Sequence, residues 1–169
     1  MLCAEWLPVV LQWCRRLGGP RVEAEQATND VFVIVLRKVS TVDEPAAFPS
    51  WLFAVTRRVL AQHRRRVWGM RWDADATLER TDPGVRPEEA ASRAQTVRLV
   101  QDVIGEMPDE LSEVLVLCEI EQRPDHEAAA VIGIPTGTVK SRLRRARRLF
   151  QAMAEARGLA PADWREEAG

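Results

Sequence analysis

The chain has 169 residues, 46% of them hydrophobic and 29% charged, with a formal net charge of −1. That hydrophobic share supports one ordinary domain or two small ones and argues against global disorder. No apolar run is long enough to span a bilayer and no basic-then-apolar leader precedes the first helix, so no membrane insertion is expected and the chain reads as cytoplasmic.

The predicted elements are helical throughout. Trp6, Val10, Trp13 or Cys14, and Leu17 form one stripe at helical spacing, ended by Gly18, Gly19 and Pro20. A second helix is expected from about Val22 to Val39, burying Ala27, Val31 and Val35. Ser40 to Pro49, with Asp43, Glu44, Pro45 and Pro49, reads as a loop. A third helix is expected from Ser50, its N-cap, to about Trp68, with Trp51, Leu52, Val55 and Val59 as the buried face.

From Asp73 to about Arg93 the periodicity is lost, and Pro83, Gly84, Pro87 and many acids read as a flexible linker. Periodicity returns at Val97, Val100 and Ile104 and stops at Met107-Pro108. A helix over about Glu110 to Ile120 follows, then a short helix from Asp125 to Ile132, a turn at Gly133-Ile134, and a long helix from Pro135 to about Glu155. The fold class is therefore all-α, with two small helical domains: residues 1–72, a linker over 73–96, residues 97–152, and a tail over 153–169.

Charge is distributed unevenly. Phe48 to Trp72 holds six arginines (Arg57, Arg58, Arg64, Arg65, Arg66 and Arg71) and no acid. Thr136 to Phe150 holds six basic residues (Lys140, Arg142, Arg144, Arg145, Arg147 and Arg148) and again no acid. Between Ala74 and Pro135 five basic residues face fourteen acids. Screening confines exposed charges to roughly 10 Å, so local patches and not the total decide attraction to a polyanion. Two basic segments around an acidic stretch suggest two nucleic-acid contacts; a solvated helix face would explain either one alone.

Pro124 to Phe150 has the marks of a helix-turn-helix. Ala129 is small where two helices must approach, Gly133 can take the left-handed conformation that ends a helix, and Pro135 suits the opening of the next. Val139, Leu143, Ala146 and Phe150 make one buried stripe, leaving Lys140, Ser141, Arg144, Arg145 and Arg148 exposed for groove and phosphate contacts. The three cysteines, Cys3, Cys14 and Cys118, are far apart and form no CxxC pair, so buried thiols are expected in place of disulfides or structural zinc.

The stretch Gly133-Ile-Pro-Thr-Gly-Thr-Val-Lys-Ser-Arg-Leu-Arg-Arg-Ala-Arg147 resembles the recognition-helix signature of extracytoplasmic-function (ECF) RNA polymerase sigma factors of the sigma-70 family. Met107-Pro-Asp-Glu-Leu-Ser-Glu-Val-Leu-Val-Leu117 resembles the helix opening the family's fourth conserved region. In the other half, Glu23-Ala-Glu-Gln-Ala-Thr-Asn-Asp-Val-Phe32 is similar to the polymerase-binding segment of the second region. Trp51-Leu-Phe-Ala-Val-Thr-Arg-Arg58, with Arg64-Arg65-Arg66, is similar to its promoter-melting and minus-ten segment.

The resemblance implies a promoter-recognition and strand-opening role with core RNA polymerase, promoter DNA and an anti-sigma factor as partners, no cofactor, and no catalysis by the chain itself. It implies minus-thirty-five contacts from Thr136, Thr138, Lys140, Ser141, Arg144, Arg145 and Arg148, although Thr136 and Thr138 could equally be helix caps. It implies minus-ten contacts from Phe48, Arg57, Arg58, Gln62, Arg64 and Arg65, and polymerase contacts from Gln26, Asn29, Asp30 and Arg37.

The chain departs from the family's pattern at Arg58 and Gln62, where many relatives carry asparagine and aspartate, at Gln26 and Asn29, and at Asp125, His126 and Ala128. Two alternatives stand beside this reading. A stand-alone helix-turn-helix regulator would explain Pro124 to Phe150 but gives the basic Phe48–Trp72 segment no task. A metal sensor or enzyme would have to use His63, His126 and Cys118, which lack ligand spacing, and no phosphate-binding loop or nucleophile motif occurs.

Overall fold

The apolar stripes fold as seven α-helices in the computed structural model, which describes residues 2–69 and 87–159. No strand occurs among the described residues. The first helix, α1, spans Leu2–Leu17 and buries Val10, Trp13, Cys14 and Leu17. It ends where Gly18 N–H donates to the Cys14 carbonyl at 3.0 Å and Gly19 takes a φ of 78°, a left-handed conformation that glycine adopts without penalty. The second helix, α2, spans Ala24–Lys38 and buries Ala27, Thr28, Val31, Phe32 and Val35.

The loop predicted over 40–49 contains two single 3-10 turns, Val39–Thr41 and Pro45–Ala47. The third helix, α3, then spans Phe48–Gly69 and so begins before Ser50. Pro49 sits in the first turn, where a missing N–H breaks no helical hydrogen bond, and Ser50 is no N-cap: its hydroxyl donates back to the Ala47 carbonyl at 3.0 Å. On α3, Leu52, Phe53, Val59 and Leu60 are buried, while Trp51 and Val55 are half-buried. Trp13 and Phe53 meet edge to face with ring centroids 4.9 Å apart, which joins α1 to α3 and adds about 0.5–1.5 kcal/mol beyond area burial.

The second unit starts with α4 at Pro87–Glu106, so the helix reaches back into the stretch expected to be linker. The rest of the expected 73–96 linker, residues 73–86, and the expected tail from residue 160 onward lie outside the described residues. The next helix, α5, spans Asp109–Leu115 and runs into a π-helical turn over Val116–Ile120, where Glu121 N–H reaches the Val116 carbonyl at 2.9 Å. The short helix α6 spans Asp125–Ile132, and α7 spans Thr136–Glu155 with Pro135 at its N-cap. Between them Gly133 has a φ of 80° and its N–H donates to the Ala129 carbonyl at 2.9 Å, closing the first helix. Val139, Leu143, Ala146 and Phe150 are all buried, with Val114, Leu117 and Ala128 in the same core.

Cys14 is buried and Cys118 half-buried, both as free thiols. Burial pushes Cys14 up to about 11, against a hydrogen bond from Thr28. Burial, then the charges of Asp125 and Glu119, push Cys118 up to about 11 as well. Neither is a thiolate near neutral pH, so both behave as packing groups.

Candidate nucleic-acid and protein interfaces

The basic residues of α7 divide by partner. Arg142 pairs with Glu110 at 3.1 Å, and Arg147 pairs with Glu119 through Nε at 2.9 Å and Nη2 at 2.5 Å. Both acids belong to the α5 and π-turn segment, so these two cations fasten α7 to its own unit. Lys140, Arg144, Arg145 and Arg148 are exposed and make no ion pair among the described residues. At 100° per residue these four and Ser141 occupy an arc of about 140° on the helix surface, opposite the buried stripe. Ser141 Oγ donates to the Thr138 carbonyl at 3.0 Å, leaving its lone pairs outward. Thr136 and Thr138 are half-buried in the first turn of α7, where the Thr138 N–H donates to the Pro135 carbonyl at 2.9 Å.

On α3 the predicted DNA residues separate into three groups. Arg58, Gln62 and Arg65 are exposed, lie within about 60° of one another, and are flanked by exposed Arg66. None of the three arginines makes an ion pair among the described residues. Arg57 and Arg64 lie about 100° further round and are occupied. Arg57 Nε reaches Glu113 Oε1 at 2.6 Å. Arg64 donates from Nη1 to the Leu17 carbonyl and from Nη2 to Asp109 Oδ1, both at 2.8 Å. Phe48 is a correction to the sequence expectation: it is 8% exposed, with its ring 5.6 Å from Trp6 and 5.9 Å from Trp51. An aromatic ring packed on both sides has no face left for a base, so Phe48 belongs to the core in this arrangement.

On α2, Gln26, Asn29 and Arg37 are exposed on one face. Asp30 borders that face, but its Oδ2 sits 2.8 Å from His63 Nε2 and ties α2 to α3. His63 is buried, so its role is at this helix junction; His126 is exposed. Two residues absent from the sequence reading complete the face, Val33 at 46% exposed and Leu36 at 70%. The signal was present: Val31 to Leu36 is an unbroken apolar run, and a helix covers such a run on one side only. A face mixing apolar and polar side chains fits a protein partner better than a nucleic acid.

The comparisons with known proteins match the two units separately. Residues 2–69 match the family described as Sigma-70 region 2, and residues 98–150 match Sigma-70, region 4. The chain is 31% identical over 136 residues to the ECF RNA polymerase sigma factor SigE of Mycolicibacterium smegmatis, covering 78% of this chain and 52% of that one. It is 28% identical over 148 residues to the ECF RNA polymerase sigma factor SigW of Bacillus subtilis, covering 82% and 79%. The chain thus spans about half the length of the first relative and most of the second. Among solved structures, the sigma factor RpoE in complex with the anti-sigma factor NepR from Bartonella quintana has a similar fold, with a TM-score of 0.63, 19% identity, and coverage of 91% of this chain and 94% of that one. With both regions matched in order and ECF sigma factors among its relatives, this chain belongs to the sigma-70 family of RNA polymerase sigma factors, in the ECF group.

Proposed function

We propose that this chain directs bacterial core RNA polymerase to promoters by holding duplex DNA with α7 and opened DNA with α3. The observation that carries the proposal is the pair of outward cation faces, Lys140-Arg144-Arg145-Arg148 and Arg58-Arg65-Arg66, one in each matched region and each without an ion pair among the described residues. The α7 face offers the major groove two or more forked guanidinium donors, which read guanine edges or brace phosphates. Thr136 and Thr138 would add hydroxyl groups at the helix start, and Ser141 an acceptor oxygen, its own hydrogen being held by the Thr138 carbonyl.

The α3 face has the other task. A single strand is held by cations along its backbone and by surfaces for unstacked bases, and extruding a base costs a few kcal/mol that protein contacts must offset. Arg58, Gln62 and Arg65 would supply the backbone contacts beside the exposed 40–47 segment. Gln26, Asn29, Val33, Leu36 and Arg37 would bind the polymerase, which performs the phosphoryl transfer; the chain contributes address and strand opening and needs no cofactor. An anti-sigma protein is a further partner by analogy with the solved relative bound to one. No helix among the described residues is long and apolar enough to cross a membrane, and the role places the chain in the cytoplasm with the genome.

The stand-alone regulator reading leaves the exposed Val33 and Leu36 without a task. In-vitro transcription with core polymerase on a library of random promoters tests the proposal: a recovered pair of upstream and downstream elements is the expected result. A chain that binds DNA but neither associates with core polymerase nor supports initiation would refute it.

A further inference from the structure

The two units meet along a seam in which every arginine–acid pair among the described residues has the same polarity. Arg16 of α1, Arg57 and Arg64 of α3 come from the first unit; Glu121, Glu113 and Asp109 come from the second, at 3.2, 2.6 and 2.8 Å respectively. The acids form a stripe. Asp109 and Glu113 are one helical turn apart. An ideal α-helix would place Glu121 about 80° round from Glu113, and the one-residue π insertion at Val116–Ile120 takes back about 100°. Three carboxylates are thereby aligned against a basic surface. Glu113 and Glu121 are 4% and 8% exposed at the side chain, so this is a packed contact and not a loose surface pairing. Independently of charge, the backbones nearly touch: a Cβ on Gly105 of α4 would lie 3.2 Å from the Gly19 Cα in the turn after α1. Glycine at both positions is what permits that approach.

We infer that the α5 acidic stripe is a built-in stand-in for nucleic-acid phosphate, holding the free chain in a closed, self-inhibited state by occupying Arg57 and Arg64. This rests on the reading of α3 as the opened-strand surface. In the closed state the Arg58–Arg65 face and the α7 face stay exposed, so duplex docking by α7 is available while the α3 surface works with two of its cations neutralised. Separating the units releases Arg57 from Glu113 and the second amino group of Arg64 from Asp109; Arg64 keeps its bond to Leu17, capping α1. Binding to polymerase or to a strand competes directly with this internal contact.

The test uses the full chain and two variants that touch no proposed DNA residue. Gly105→Leu adds a helix-compatible side chain that wedges the Gly19 turn away, and Asp109→Asn removes one carboxylate charge. The readouts are the radius of gyration by X-ray scattering and the salt dependence of binding to a short single-stranded DNA of randomised sequence. Gly105→Leu is expected to expand the chain, tighten oligonucleotide binding about tenfold at low salt, and steepen the log–log salt slope by about 1.4, since each cation engaging a single strand contributes about 0.7. Asp109→Asn is expected to give about half that slope change. Unchanged dimensions in both variants would overturn the closed state, and expansion with an unchanged slope would overturn its inhibitory role. Adding Arg58→Ala and Arg65→Ala to the Gly105→Leu chain separates the two readings: if affinity then stays constant, the outward α3 face does not hold DNA, whereas a steepened slope still upholds the seam.

Discussion

Helices α3 and α7 are both long and strongly basic, yet the structure uses their cations differently. In α7 the two neutralised arginines, Arg142 and Arg147, pair with acids of their own unit and so brace the recognition helix in place. In α3 the two neutralised arginines, Arg57 and Arg64, pair with acids of the other unit. The first arrangement survives any change in how the units sit; the second exists only while they are together. Under the proposed roles, equal charge content gives a duplex-binding surface that stays presented at one end and a strand-binding surface with two of its cations conditional at the other.

The largest expected effect sharpens the α7 side. Arg145→Ala should weaken discrimination at one upstream base pair by about 1–3 kcal/mol if its guanidinium reads a base, measured as affinity across single-base promoter variants. A uniform loss across sequences would assign Arg145 to phosphate. On the α3 side, the double change Arg58→Ala and Arg65→Ala should make the salt slope for single-stranded DNA shallower by about 1.4 while leaving duplex binding by α7 intact. Equal losses on both substrates would break the proposed separation of tasks.

Glu113 gives a smaller, pH-dependent effect. Burial pushes its carboxyl from 4.5 up to about 7, more than Arg57 draws it down, and its Oε2 has no hydrogen-bond partner among the described residues. A folded-state pKa above the unfolded one means that the group's stabilising contribution is complete below about pH 4.5 and is lost as pH rises through 7. Glu113→Gln should therefore raise stability at pH 8 by on the order of 1 kcal/mol and flatten the decline between pH 5 and 8 in denaturant melts. A destabilised variant at pH 8 would mean that the ionised pair with Arg57 outweighs burial. The smallest effect belongs to Arg147→Ala: its pair with Glu119 is largely exposed, and such pairs contribute about 0–1 kcal/mol, so stability should barely change in the same melts.

Where local signals suffice, the sequence was legible. The α6–turn–α7 unit follows from its apolar spacing, Gly133 and Pro135, and Asp125–Ile132 was predicted at the observed bounds. The start of α4 at Pro87 was hidden because residues 88–96 carry acids, small residues and a lone Arg93 but no apolar stripe. Phe48 and Ser50 were misplaced for a related reason, Pro49 being read as a breaker when it opens the helix. Long-range partners left no periodic trace. Nothing local to Arg57 or Arg64 announces Glu113 or Asp109, nothing near Asp30 announces His63, and Phe48 gives no sign of Trp6. The outward residues of the site were thus readable as faces, and the occupied ones were not.

The division of tasks between α3 and α7 is tested most directly by site-specific photocrosslinking from positions 62 and 145 in an open complex assembled with core polymerase and promoter DNA. Crosslinks are expected from Gln62 of α3 to the unpaired strand in the melted region and from Arg145 of α7 to upstream duplex. Crosslinks from both positions to the same duplex segment, or none from position 62 to the unpaired strand, would contradict that division.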